Sequence, residues 1–197
     1  MLDKELSNES LPLRRGKRAR TRAALIRAAS EIIREKGFAA ASLEAIATRA
    51  GMSRGAIYGN FKNRDELFLA VALSRWQPIA PEIKPGMTFR EQMRSLGQAW
   101  IAAQEQRRQG AVSAAAFQEY ALTHEEMRLA IVELNREVYR RTAKRMRASL
   151  PEAELPMPPA KLVRVLHGMI EGFTLLRALT PELITDDVVL AAFEALA

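Results

Sequence analysis

The sequence predicts an all-α chain in two parts, a three-helix N-terminal head and a larger helical-bundle body. Three observations lead there. Apolar residues recur at three- and four-residue spacing from about residue 18 onward, and no strand-like pattern exceeds four residues. Residues 42–62, SLEAIATRAGMSRGAIYGNFK, read as two short helices about a tight glycine turn. The charge is also uneven. Residues 1–76 hold 15 Lys and Arg against 8 Asp and Glu, a net +7, whereas residues 77–197 hold 15 of each.

A chain of 197 residues, 48% hydrophobic and 27% charged, can bury a sizeable core. It contains no cysteine, which removes disulfides, thiol nucleophiles and cysteine-based metal sites, and makes the cytoplasm the expected compartment. No apolar run approaches the roughly 18 residues of a membrane span, and the N-terminus lacks an apolar signal core.

Taken in order, residues 1–13 are polar and aperiodic and are expected to be a disordered tail. The basic cluster RRGKRARTR at 14–22, with Arg18 and Arg20, suits an arm that follows phosphates or enters a minor groove. The spacing of Leu25, Ile26, Ala29, Ile32 and Ile33 predicts a helix over about 18–36. Gly37 ends it and Phe38 packs back on the head. Ser42 is a suitable N-cap for the next helix, with Glu44 in its first turn. Leu43, Ile46, Ala47 and Ala50 form its apolar stripe, and Gly51 stops it in the left-handed region. Ser53 caps the following helix, which carries Ile57 and Phe61 inward and shows Arg54, Gly55, Tyr58, Asn60 and Lys62 outward. This is the pattern of a helix-turn-helix, whose second helix can enter a major groove. Arg54, at the start of that helix, can reach base edges, and Tyr58 and Lys62 suit phosphates. The excess positive charge of this part would strengthen contact with a polyanion.

Asn63 with Glu66 makes a capping-box spacing for a connecting helix to about residue 76, with Leu67, Phe68, Val71 and Ala72 inward. Residues 77–87 contain three prolines and Gly86 and read as a boundary. In the body, Thr88 caps a helix to about residue 106 and residues 111–121 form a short one. Thr123 caps a long helix to about residue 150, whose basic end suits a helix C-terminus. A proline-rich loop over 151–159 precedes an apolar helix at 161–179, and Thr185 or Asp186 caps the last helix.

The head resembles the tetracycline-repressor (TetR) family of one-component regulators. The resemblance rests on Leu43, Ile46, Ala47, Ala50, Gly51, Met52, Ser53, Gly55, Tyr58 and Phe61, then Asp65, Glu66 and Leu67, and spans about residues 18–76. Two positions depart from the family pattern: Asn60 stands where histidine is usual, and Arg64 where lysine is. The resemblance implies a homodimer with two heads on a double-stranded DNA operator and a small-molecule effector in the body. It assigns DNA contact to Ser42, Ser53, Gly55, Tyr58 and Lys62, with the Ser53–Arg54 region nearer the bases. It assigns dimerisation to the last two helices, where Gly168 and Gly172 would allow close approach and Val189 and Phe193 would supply apolar contact. It divides the chain into a head at 14–62, a connecting helix at 63–76 and an effector-binding and dimerisation domain at 77–197.

An effector site should be mostly apolar with a few polar groups. Its expected liners are Trp100, Gln104, Phe117, Tyr120, His167, Met169 and Phe173. His124 and His167 are the only histidines and lack metal-ligand spacing, so no metal or cofactor is expected. No Gly-rich phosphate loop, G-x-S-x-G or H-E-x-x-H motif points to an enzyme. The expected function is a repressor that leaves its operator when a small apolar or amphipathic effector binds. The alternative is a non-specific architectural DNA-binding protein, which would account for the charge but not for a neutral body of this length.

Overall fold

A computed structural model describes residues 10–75, 79, 81–108 and 111–197. The described residues form nine α-helices, one 3-10 turn and no strand. They are α1 (Ser10–Ala40), α2 (Leu43–Arg49), α3 (Arg54–Tyr58), α4 (Arg64–Arg75), α5 (Phe89–Arg108), α6 (Ala111–Thr123), α7 (Glu125–Ser149), α8 (Pro159–Leu179) and α9 (Asp186–Glu194). The chain divides into two compact units: residues 1–76 with 116–127, and residues 77–115 with 128–197.

The first unit is built on α1. Leu25, Ala28, Ala29, Ile32 and Ile33 are buried along one side of it, against Ile46, Ala47, Ile57, Phe61, Leu67, Phe68 and Val71. The helix starts at Ser10, earlier than the sequence suggests, so residues 10–13 of the expected tail are helical. Pro12 lies in the first turn, where a missing N–H costs no hydrogen bond. Residues 1–9 lie outside the described residues. At Gly37 the backbone leaves helical geometry (φ 77°, ψ 169°), which only glycine adopts cheaply. Phe38 then turns inward and meets Phe68 edge-on at 5.4 Å, Phe117 at 5.6 Å and Tyr120 at 5.6 Å.

This aromatic cluster explains the interruption in the first unit. Residues 116–127 were expected in the body, yet Phe117, Tyr120 and Met127 pack in the first unit, where Tyr120 and Met127 are buried. Tyr120 donates to Asp65 at 2.8 Å, and Asn63 donates to Glu126 at 3.5 Å. Arg64 donates to the carbonyls of Phe38 (2.6 Å) and Ala39 (2.9 Å), and its guanidinium lies 4.8 Å from the Phe68 ring. Thr123 does not cap α7 as expected. Its hydroxyl bonds back to the carbonyls of Glu119 and Tyr120, ending α6 instead.

The second unit encloses Phe89, Met93, Trp100, Leu150, Leu162, Leu166, Val189 and Phe193. Thr88 and Glu91 form a full capping box at the start of α5: the Thr88 N–H donates to Glu91 at 2.7 Å, and the Glu91 N–H donates to Thr88 Oγ1 at 3.3 Å. The Thr88 N–H and, at 2.9 Å, the Thr88 hydroxyl both donate to the Glu91 carboxylate and hold it below its ordinary range. α5 and α9 approach closely at Gly97, where a Cβ would come within 3.1 Å of Leu190 and of Phe193.

One expectation about the last helices fails: Val189 and Phe193 are fully buried within their own unit, so their apolar surface is already used against Trp100 and its neighbours. A Cβ at Gly168 or Gly172 would meet nothing within 4 Å among the described residues, so both positions remain open to a second copy. The apolar surface left open on α8, α9 and their connection consists of Leu175, Leu176, Leu179, Leu183 and Val188.

Candidate nucleic-acid interface

The helix-turn-helix follows from local chemistry. Ser42 caps α2 by accepting from the Ala45 N–H at 3.1 Å. Glu44 in the first turn and Arg49 in the last both complement the helix dipole. Arg49 also grips Glu35 with two bonds of 2.9 Å and Glu31 at 3.2 Å, which fixes α2 against α1. Gly51 takes φ +63° and lets the chain turn, and the Met52 N–H closes that turn on the Ala47 carbonyl at 2.9 Å. Ser53 then begins α3 in extended geometry without making a side-chain cap, which leaves its hydroxyl exposed.

α3 has one turn and a half and sends its groups to opposite sides. Ile57 and, just past the helix, Phe61 are buried. Ser53, Arg54, Gly55, Tyr58 and Lys62 are exposed, as are Arg18 and Arg20 on α1 and Ser42 at the start of α2. Gly55 has ordinary helical geometry, and a Cβ there would meet only Ser53 Oγ at 3.6 Å. Nothing within the fold requires glycine at that position. Arg22, not singled out from the sequence, stacks over the Phe61 ring at 4.6 Å and ties α1 to the end of α3.

Arg54 is not idle in the free chain. It pairs with Glu44 and donates to Tyr58 Oη at 3.2 Å, and these contacts raise its pKa further, the tyrosine bond most. Glu44 therefore has a second role that dipole arguments alone do not reveal: it holds the arginine across the α2–α3 turn. The pair is open to solvent, where such contacts are weak and screened by salt, so a phosphate or base edge can replace the carboxylate.

Asn60 departs from expectation. Its amide donates to the Ala56 carbonyl at 2.8 Å, and its Oδ1 is buried without a partner among the described residues. The side chain closes the end of α3 instead of pointing outward. Beyond it, the Lys62 N–H donates to Glu66 at 2.7 Å and the Glu66 N–H donates to Asn63 at 2.8 Å, a capping box displaced by one residue.

The seven expected effector-site residues do not form one group. Phe117 and Tyr120 belong to the first unit's aromatic cluster. Burial and the bond to Asp65 push the Tyr120 hydroxyl up to about 12. In the second unit the Trp100 and Phe173 rings meet at a tilt, 5.9 Å between centroids, with Met169 packed on the same core. His167 bonds the Tyr139 hydroxyl at 2.6 Å and lies 3.6 Å from Glu171. Trp100 Nε1, Gln104 Nε2 and Arg177 Nη1 are buried donors without acceptors among the described residues, and the Arg177 guanidinium lies 5.7 Å from the Trp100 ring.

An outward-facing second helix behind a glycine turn, on a three-helix core, defines a helix-turn-helix protein. Residues 25–71 match the family of bacterial regulatory proteins named for tetR. Two Pseudomonas putida relatives are each 37% identical over 67 residues, 34% of this chain: the HTH-type transcriptional regulator SrpR and the uncharacterized HTH-type transcriptional regulator TtgW. The matched stretch spans only 32% of SrpR and 50% of TtgW. Among solved structures, NalD, the secondary repressor of the MexAB-OprM multidrug efflux pump in Pseudomonas aeruginosa, is similar over most of its length. It is 28% identical, with a TM-score of 0.55 over 89% of this chain and 93% of NalD. The SmeT–triclosan complex shares the fold at 24% identity, with a TM-score of 0.58 over 89% of this chain and 90% of SmeT. The chain is thus similar to the TetR family through its head, residues 25–71, and shares the fold of NalD over most of its length. No helix among its described residues is long and apolar enough to cross a membrane.

Proposed function

We propose that the protein is a dimeric transcriptional repressor that binds a DNA operator through α3 and is released by a small effector. The observation that carries this reading is the split of α3, with Ile57 and Phe61 buried and Ser53, Arg54, Gly55, Tyr58 and Lys62 exposed on a basic unit. Arg54 reads a base edge, and Tyr58 and Lys62 fix the register on phosphates. Gly55 gives the duplex backbone room to come close. Two heads would be spaced by one helical turn of DNA, about 34–36 Å, or a multiple of it. The second copy is supported by the open leucines of α8 and its connection to α9, Leu175, Leu176, Leu179 and Leu183, which are a costly surface to leave in water.

The effector reading is supported by the aromatic core around Trp100 and Phe173 and by the donors of Trp100, Gln104 and Arg177, which an acceptor-bearing amphipathic molecule would satisfy. NalD is a repressor by its description and SmeT has been solved with triclosan, which makes both roles reasonable for a relative. Release then requires the effector to favour the head spacing that fits DNA poorly.

The test is competition binding to the DNA upstream of the protein's own coding region. A specific regulator prefers its site by roughly 10³-fold or more over random duplex, whereas an architectural binder shows no such preference. Tyr58→Phe and Lys62→Ala should weaken binding to all sequences alike, and Arg54→Ala should also relax the preference at one base pair. Unchanged affinity in all three variants at physiological salt would remove α3 from the duplex.

A further inference from the structure

A cleft of about 250 Å³ opens in the second unit between α7 and α8. Four arginines line it, Arg136, Arg140 and Arg147 from α7 and Arg164 from α8, with Tyr139 and two alanines between them. None of these lining residues is acidic. The basic end of α7 alone would be unremarkable, because cations suit a helix C-terminus. That argument does not reach Arg164. It stands in the second turn of α8, far from that helix's C-terminus, so the helix dipole supplies no reason for a cation there.

The contacts around the cleft point the same way. Arg136 pairs with Glu133 and Arg140 with Glu137, both along α7 and both open to solvent, so either guanidinium can be recruited at little cost. Arg164 lies over the Tyr139 ring at 5.9 Å. The Tyr139 hydroxyl is bonded to His167, and burial pushes its pKa up, so this side chain remains neutral and does not supply a competing charge. Guanidiniums from two helices converging on a concave site match an oxyanion with several acceptor oxygens. The volume lies below the range of drug-sized pockets, roughly 300–1,000 Å³, which selects a compact ligand over a bulky one.

We propose that the α7–α8 cleft binds a compact, multiply charged oxyanion, a phosphorylated or polycarboxylate metabolite, at a site distinct from both the duplex surface and the Trp100 core. The test follows thermal unfolding of the full chain while inorganic pyrophosphate or citrate is titrated at fixed ionic strength. The midpoint should rise with the logarithm of ligand concentration, by about 5 °C at a hundredfold excess over Kd. Arg164→Gln and Arg140→Gln should each weaken the response at least about tenfold, and Arg164→Lys should fall between, because it keeps the charge and loses the planar fork. Lys84→Gln, which removes a cation paired with Glu82 away from the cleft, should respond as the parent does. A response to pyrophosphate alone assigns a phosphorylated ligand, and a response to citrate alone a polycarboxylate; either supports the site. The proposal is overturned by no shift with either anion, or by equal shifts in the parent and both glutamine variants. It is also overturned if the arginine variants change only the affinity for random-sequence duplex, which would make the patch a nucleic-acid surface.

Discussion

Gly55 in α3 and Gly97 in α5 are both helical glycines, and both spare the chain a side chain. Around Gly55 a Cβ would meet only Ser53 Oγ, at 3.6 Å, on an exposed face. Around Gly97 it would meet Leu190 and Phe193, each at 3.1 Å, in a buried seam. Glycine is a poor helix former, so each position needs a reason. In the first unit the described residues supply no reason, and the proposed duplex would supply one. In the second the reason lies inside, in two helices that must come near each other. The contrast sets a glycine that the proposed partner accounts for against one that the core accounts for.

The largest expected effect tests the inner side of that contrast. Phe193→Ala should cost about 3–5 kcal/mol in urea unfolding, because a fully buried aromatic leaves a cavity that α5 and α9 cannot close. A loss below about 1 kcal/mol would return Phe193 to the outer surface. Gly97→Val should cost about 1–3 kcal/mol by overpacking the same seam. Gly55→Ala should behave oppositely in the two measurements. Stability stays level or rises by up to about 1 kcal/mol, as alanine is the better helix former. Duplex affinity, read by fluorescence anisotropy, falls about tenfold or more, equivalent to about 1.4 kcal/mol. Loss of both together would place Gly55 in the same class as Gly97.

The smallest effect concerns pH. The Tyr120 hydroxyl is raised from 10.0 to about 12 in the fold, so the folded chain holds that proton more tightly than the unfolded chain does. The stabilisation is complete below about pH 10 and is lost as pH climbs toward about 12. Tyr120→Phe should flatten this part of the stability profile, measured by urea unfolding at pH 9 and 11. At neutral pH it should cost about 0.5–1.5 kcal/mol for the bond to Asp65.

The first unit was legible because its signals are local. Ser42, Gly51 and the Asn63–Glu66 spacing each act within a few residues, and each behaves in the structure as its chemistry dictates. Asn60 was misread because a side chain four residues from a free helical carbonyl can turn back as easily as outward. The second unit hid more because its decisive contacts are distant in sequence: nothing near Gly97 announces Leu190 and Phe193. The same distance hid the one non-local part of the first unit, since nothing near Phe38 announces Phe117 and Tyr120. Val189 and Phe193 were expected to meet a second copy and are covered by their own unit instead, because an apolar residue on a helix does not say which chain covers it.

The aromatic cluster in the first unit bears on how such proteins can be recombined. Phe38 and Phe68 are covered by side chains from residues 116–127, so a fragment stopping at residue 76 would leave that cover behind. A chimera that grafts this reading head onto a foreign sensor must carry the 116–127 splice with it, or choose a host whose own segment fills the same aromatic notch.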